Sequence, residues 1–113
     1  LKKSYKKGDV VWADLGMPPN EIKGHEQAKI RPCIVIAVFN AVKLALIVPC
    51  TTQKPPQSIY TTVALSESFS KDSFALCHQL RTISFERILN KKGQLSPKDL
   101  AKVQSVLTDI VSS

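Results

Sequence analysis

Two neighbouring runs, RPCIVIAVF (31–39) and KLALIVPCTT (43–52), are apolar on both alternations and dense in β-branched and aliphatic residues, with a few residues around Asn40 between them. A strand with one wet face alternates apolar and polar; these do not, so both faces are buried. Joined by a few residues, they read as central strands of a sheet covered on both sides. Every other segment has to be placed around those two strands.

DVVWADL (9–15) supplies a first strand after the Gly8-Asp9 turn, and SIYTTVAL (58–65) has the Tyr, Thr and Val content of another. SFALCHQLRTIS (73–84) holds one or two more, and FERILNKKG (85–93) reads as a short helical turn closed by Gly93. Ser96 as N-cap, Pro97 at the first helical position and Asp99 three residues after the cap announce a C-terminal helix. Its apolar stripe is Leu100, Val103, Val106, Leu107, Ile110 and Val111, a face to be packed on the sheet or a partner. The expectation is a mainly β fold, a small, strongly curved antiparallel barrel with a C-terminal helix. Between the first two strands GMPPNEIKGHEQAKI (16–30) keeps no period and is too long for a hairpin turn. Loops of that length in small domains are often lids or binding loops, with plain disorder as the alternative.

A chain of 113 residues fits one domain with one core. No apolar run reaches the length of a membrane span, and the basic start LKKSYKKGDVV lacks an h-region, so the chain reads as soluble and cytoplasmic. Starting at Leu1 rather than Met, it leaves room for residues before it. Sixteen Lys and Arg against nine Asp and Glu leave a net charge of +7, which suits a polyanionic or acidic partner. Cys33, Cys50 and Cys77 are odd in number and widely spaced. They read as small buried apolar residues rather than a disulfide framework or a zinc site, and two His without clustered carboxylates argue for no metal and no cofactor. His78 is expected as a structural histidine in a strand, and Trp12 as core rather than a platform for stacking bases.

Taken in order, GDVVWADLG, GHEQAKIRPCIVI, IVPCTTQ, HQLRTIS and SPKDLAKVQSVL resemble the MazF/PemK family of toxin endoribonucleases from about Gly8 to Leu107. The resemblance implies an SH3-like barrel of the MazF/PemK/CcdB type, with residues 1–113 as a single toxin domain. It also implies a homodimer that cuts single-stranded RNA at short sequences without a metal and is held inactive by an antitoxin. By position, the Arg of the family's Arg-Pro motif is Arg31 and the Thr closing its third-strand motif is Thr51, the two candidates for catalysis. Glu26 and Gln27 match the Glu-Gln pair before the motif, and Gln79, Arg81 and Thr82 match its QxRT segment, in supporting or RNA-contacting roles. Two departures stand out: His25 where the family often has Ser, and AVFN in place of the usual Asn-Asp after the Arg-Pro strand.

The residues suit that chemistry. RNA carries its own nucleophile, the 2′-hydroxyl, so cleavage needs it held in line, its proton removed, the phosphorane stabilised and the leaving 5′-oxygen protonated. Arg31 can hold two non-bridging oxygens and stays charged at any working pH, which also makes it a poor proton shuttle. Thr51 can donate to the phosphate, and Glu26, ahead of His25, is the candidate base. Pro32 biases Arg31 towards extended backbone and lacks an N–H, so the strand should begin there with the cation fixed at its rim.

Rival readings keep the fold and change the activity. A gyrase-binding toxin of the CcdB type acts through a C-terminal tail bearing Trp, whereas this chain ends TDIVSS with its one Trp at position 12. A plain nucleic-acid-binding barrel needs the basic charge but gives no reason for Arg31, Thr51 and QLRT to occur together. An antitoxin with an acidic, disordered segment fits the charge and could lie over the same groove.

Overall fold

In the computed structural model, residues 4–16, 29–53, 61–65, 68–69 and 72–112 are described. Seven strands and one helix follow in the order β1 (Asp9–Asp14), β2 (Ile30–Phe39), β3 (Leu44–Thr51), β4 (Thr62–Leu65), β5 (Ser73–Leu76), β6 (Arg81–Ser84), β7 (Ile88–Gln94) and α1 (Pro97–Ser112). The sheet order is β4-β5-β3-β2-β1-β7, all antiparallel, with β6 also on β3. β2 and β3 are central, as their unbroken apolar content requires. The sheet curls like a small barrel without closing, since β4 and β7 end the order and no pair joins them among the described residues.

Alternation divides the core into two. Ile34, Val48, Cys50, Val10, Val103 and Leu107 pack on the side covered by α1, with Leu100, Val106 and Ile110 partly buried against them. Val111, at the end of the expected stripe, is exposed. On the other face Val11, Ala13, Cys33, Val35, Ala45, Ile47 and Ile83 pack together, flanked by Phe85 and Tyr5 in an edge-on contact.

β5 and β6 are one interrupted strand along the outer edge of β3. Cys50 faces Ala75 while Ile47 faces Arg81, so three steps on β3 correspond to six on its partner. The three surplus residues, Cys77–Gln79, form a 3-10 turn. His78 therefore stands exposed on that turn, not in a strand, with Nδ1 at 3.0 Å from Thr61 Oγ1.

FERILNKKG departs from the expected helical turn. Only Phe85–Arg87 form a 3-10 turn, begun by Glu86 N–H donating to Ser84 Oγ, and the remainder is β7 at the edge of the sheet. Of β7 only Ile88 is buried, and two register shifts interrupt its pairing with β1, so the strand rests on backbone bonds and shows no apolar period. Gly93 caps nothing; it sits opposite Val10 in the ladder.

The helix start was legible to the residue. Asp99 N–H donates to Ser96 Oγ at 3.1 Å, Ser96 N–H to Ser68 Oγ at 2.8 Å, and Ser68 Oγ–H to the Asp99 carboxylate at 2.7 Å, a closed circuit. Ser68 N–H also donates to that carboxylate, and Lys102 Nζ lies 3.3 Å from it. At the opposite joint, Asp9 accepts from Lys6 N–H and Gln94 Nε2 and pairs with Lys91, which ties β1 to β7. Both carboxylates are fully buried.

Asp99→Ala orphans the two Ser68 donors and should cost about 2–4 kcal/mol, read as a lower urea midpoint with an unchanged slope. Burial of Asp9 works to raise its pKa, but the bonds from Lys6 and Gln94 and the charge of Lys91 outweigh it and hold the carboxyl below its ordinary value. Its stabilisation is then fully present above the unfolded carboxylate pKa of about 3.9 and is lost as pH falls through the lower folded value. The stability gap between wild type and Asp9→Asn should accordingly narrow below about pH 4 in denaturation titrations.

Candidate active site at the rim of β2 and β3

Because β2 and β3 are antiparallel, the first residues of β2 and the last of β3 lie on the same rim of the sheet. Arg31 is the second residue of β2, half-buried and opposite Ala13; Thr51 is the last of β3, opposite Phe74. Alternation gives both the same face. Arg31 continues the series Val35, Cys33, and Thr51 continues Ala45, Ile47, all four reference residues belonging to the cluster away from α1. Arg81, two residues before Ile83 of that cluster, shares the face as well.

Thr51 is 9% exposed, and its Oγ1 accepts from Gln53 N–H at 3.1 Å. That bond fixes the oxygen through a lone pair and leaves the hydroxyl proton to be donated outward. β2 begins at Ile30, one residue before the Arg-Pro pair, because pairing with β1 reaches Ile30 while pairing with β3 starts only at Cys33, just after Pro32. Arg31 thus stands in the ladder with β1, two residues ahead of the first β2 residue that pairs with β3.

The rim is braced from below. Leu15 N–H donates to Lys29 O at 2.9 Å and Lys29 N–H to Gly16 O at 2.6 Å, closing the stem of the long loop. Lys29 takes φ +66° there, a left-handed conformation that costs a side-chain-bearing residue about 1–2 kcal/mol, and Gly16 takes +98° with no such penalty. Arg81 Nη1 reaches Leu15 O at 3.5 Å and Arg87 Nη1 reaches Asp14 O at 3.2 Å, so two guanidinium groups hold consecutive carbonyls at the end of β1. Arg87 was not singled out from sequence. Its partner is a backbone oxygen 73 residues away, which no side-chain pattern advertises.

Of the other candidates, Thr82 points to the opposite face and is exposed across from Leu46, and Gln79 ends the 3-10 turn, half-buried. His25, Glu26 and Gln27 lie outside the described residues. Cys33, Cys50 and Cys77 are buried free thiols, Cys77 on the 3-10 turn rather than in a strand. Burial pushes Cys33 up to about 12 against the opposing charge of Arg81, Cys77 up to about 11, and Cys50 well above the usual thiol range. None is a nucleophile near neutral pH. Among the described residues no three His, Cys, Asp or Glu side chains are placed to share a metal ion, and no helix is long and apolar enough to cross a membrane.

Comparison with known proteins agrees with the fold and identifies the family. Residues 6–111 match the family described as PemK-like, MazF-like toxin of type II toxin-antitoxin systems. The chain is 31% identical over 108 residues to the endoribonuclease toxin MazF of Escherichia coli K12, covering 92% of this chain and 91% of that one. To the endoribonuclease EndoA of Bacillus subtilis it is 32% identical, covering 90% of each. Among solved structures, MazF of Deinococcus radiodurans superposes with a TM-score of 0.82 at 19% identity, over 99% of this chain and all of that one. An endoribonuclease from a mycobacterial species, solved with its cognate antitoxin, gives 0.75 at 18% over 96% of each. The chain therefore belongs to the PemK-like, MazF-like toxins of type II toxin-antitoxin systems.

Proposed function

We propose that the chain is a metal-independent endoribonuclease that cleaves single-stranded RNA at short sequences and so stops translation in the cytoplasm. The observation that carries the reading is the meeting of Arg31 and Thr51 on one rim and one face. In the proposed reaction the 2′-oxygen attacks the adjacent phosphorus as a base takes its proton. The bond from phosphorus to the 5′-oxygen breaks, that oxygen gains a proton, and the ends are a 2′,3′-cyclic phosphate and a 5′-hydroxyl.

Arg31 grips the non-bridging oxygens, whose charge grows in the phosphorane, and the Thr51 hydroxyl donates to the same group. Glu26 is the proposed base, with His25 its alternative, and Gln27, Gln79, Arg81 and Thr82 the proposed RNA contacts. For Arg81 the contact with Leu15 O gives a further part, bracing the rim beneath the phosphate. An antitoxin with an acidic, extended segment is the proposed partner and would compete with RNA for the same basic rim. The chain is proposed to act as a homodimer.

Incubation with a long RNA in the presence of EDTA should give discrete fragments ending in cyclic phosphate, and the matching DNA should stay intact. Arg31→Ala should lower the single-turnover rate about 10²–10³-fold. Thr51→Ala, which removes one hydrogen bond to a charged group, should lower it about 10–100-fold, and Thr51→Ser should restore most of it. Intact RNA in the presence of folded, RNA-binding wild type would overturn the reading.

A further inference from the structure

The one tryptophan is not in the core. Trp12 is half-buried on β1, and Lys92 of β7 sets its ammonium 5.5 Å from the centre of the indole. The same Nζ lies 5.4 Å from the centre of the Phe69 ring. Two aromatic rings from separate segments thus flank one cation. Lys91, its neighbour, is occupied by the buried Asp9 at 3.2 Å. Phe69 packs with one side against the core under α1, yet Lys92 is exposed and both rings are only partly covered.

Its position relates it to the rim. Trp12 is the ladder partner of Pro32, the residue after Arg31, while Arg31 itself faces Ala13. Trp12 therefore points to the face opposite Arg31, one step in from the rim. A single strand gripped at Arg31 would reach the cluster by passing over the rim with a flanking nucleotide. Aromatic faces beside a lysine are what such a nucleotide can use, the base stacking on a ring and the phosphate taking the ammonium. In the absence of RNA a cation–π contact satisfies Lys92 and covers the rings.

We propose that Trp12, Phe69 and Lys92 form an accessory subsite for a nucleotide flanking the cut, in which phosphate draws Lys92 off the rings and a base stacks in its place. The proposal rests on the ribonuclease reading given above and extends it to substrate beyond the reacting phosphate. Stacking on a ring face tolerates any base, so the subsite adds affinity for longer RNA without adding to the recognised sequence.

The test titrates the wild-type chain with a mixed-sequence 2′-O-methyl RNA 20-mer, which blocks the nucleophile, following both oligonucleotide anisotropy and the emission of Trp12. Emission should change in step with anisotropy. Phe69→Leu should weaken binding about 5–50-fold with an unchanged salt slope. Lys92→Met should weaken it and lower the slope of log affinity against log salt by about one. Cleavage of RNA confined to the few nucleotides around the cut should be unaltered in both variants. If wild type cuts RNA but emission stays constant on binding, or both variants bind the 20-mer as wild type does, the subsite is overturned and the ribonuclease reading stands. If wild type neither cuts RNA nor binds the 20-mer, the reading falls and the subsite falls with it. If an acidic peptide changes Trp12 emission while the 20-mer does not, the surface belongs to a protein partner and the subsite is likewise overturned.

Discussion

The register between β2 and β3 is the constraint on which the rest depends. Cys33 pairs with Pro49, Ile34 with Val48 and Val35 with Ile47, and all six side chains are buried. Side chains alternate with period two, so a slip of one residue would exchange the two cores and carry Arg31 or Thr51 to the other face. Burial on both faces makes such a slip costly twice over, since each core loses its own set of apolar side chains. Packing energy thus fixes the relation between two polar residues at the strand ends, which bring little stability of their own.

What the hairpin does not fix is the end of β1, where the long loop leaves. There the chain uses directional bonds. The Leu15 and Lys29 backbone pair closes the stem, and Arg81 and Arg87 each take one carbonyl beyond it. Lys29 is held in its left-handed conformation by the bonds on both of its sides, an expense that is tolerated where several contacts over-determine the backbone. The stem in turn sets Ala13 and Asp14 against Arg31 and Ile30, so bracing of the loop base and placement of the cation are the same set of contacts.

Legibility in the sequence followed the source of stability. β2 and β3 could be read because burial on both faces leaves their runs continuously apolar, β1 from its β-branched content after a turn, α1 because burial of one face writes a period into it, and the helix start because Ser96, Pro97 and Asp99 cap it by local rules. β7 could not, because an edge strand with one buried residue leaves no apolar trace, and its lysines and glycine imitate the end of a helix. His78 and Trp12 were misplaced for a related reason. A three-residue insertion in the strand beside β3 is invisible without knowing the register, and an indole half-covered by a lysine has the same sequence signature as one in a core. Arg31 and Thr51 were legible as motif members, whereas the face they share needed the two cores to be seen.

The charge of the chain takes on a different weight once the acids are located. Nine carboxylates oppose sixteen Lys and Arg in the sequence, yet Asp9 and Asp99 are fully buried and serve as joints, one fastening β7 to β1 and the other starting α1 beside Ser68. Each draws one lysine towards itself, Lys91 and Lys102, so those pairs cancel locally. The acids left to face solvent are fewer than composition suggests, and Lys6, Lys7 and Lys92 remain exposed around β1 and β7. Because each buried acid takes a lysine with it, the net charge of +7 is unchanged, and a polyanion meets it as a field that falls off over about a Debye length, 8–10 Å at physiological salt. The two acids that hold the fold together are thus neutralised at its joints, and the excess of positive charge rests with the other side chains.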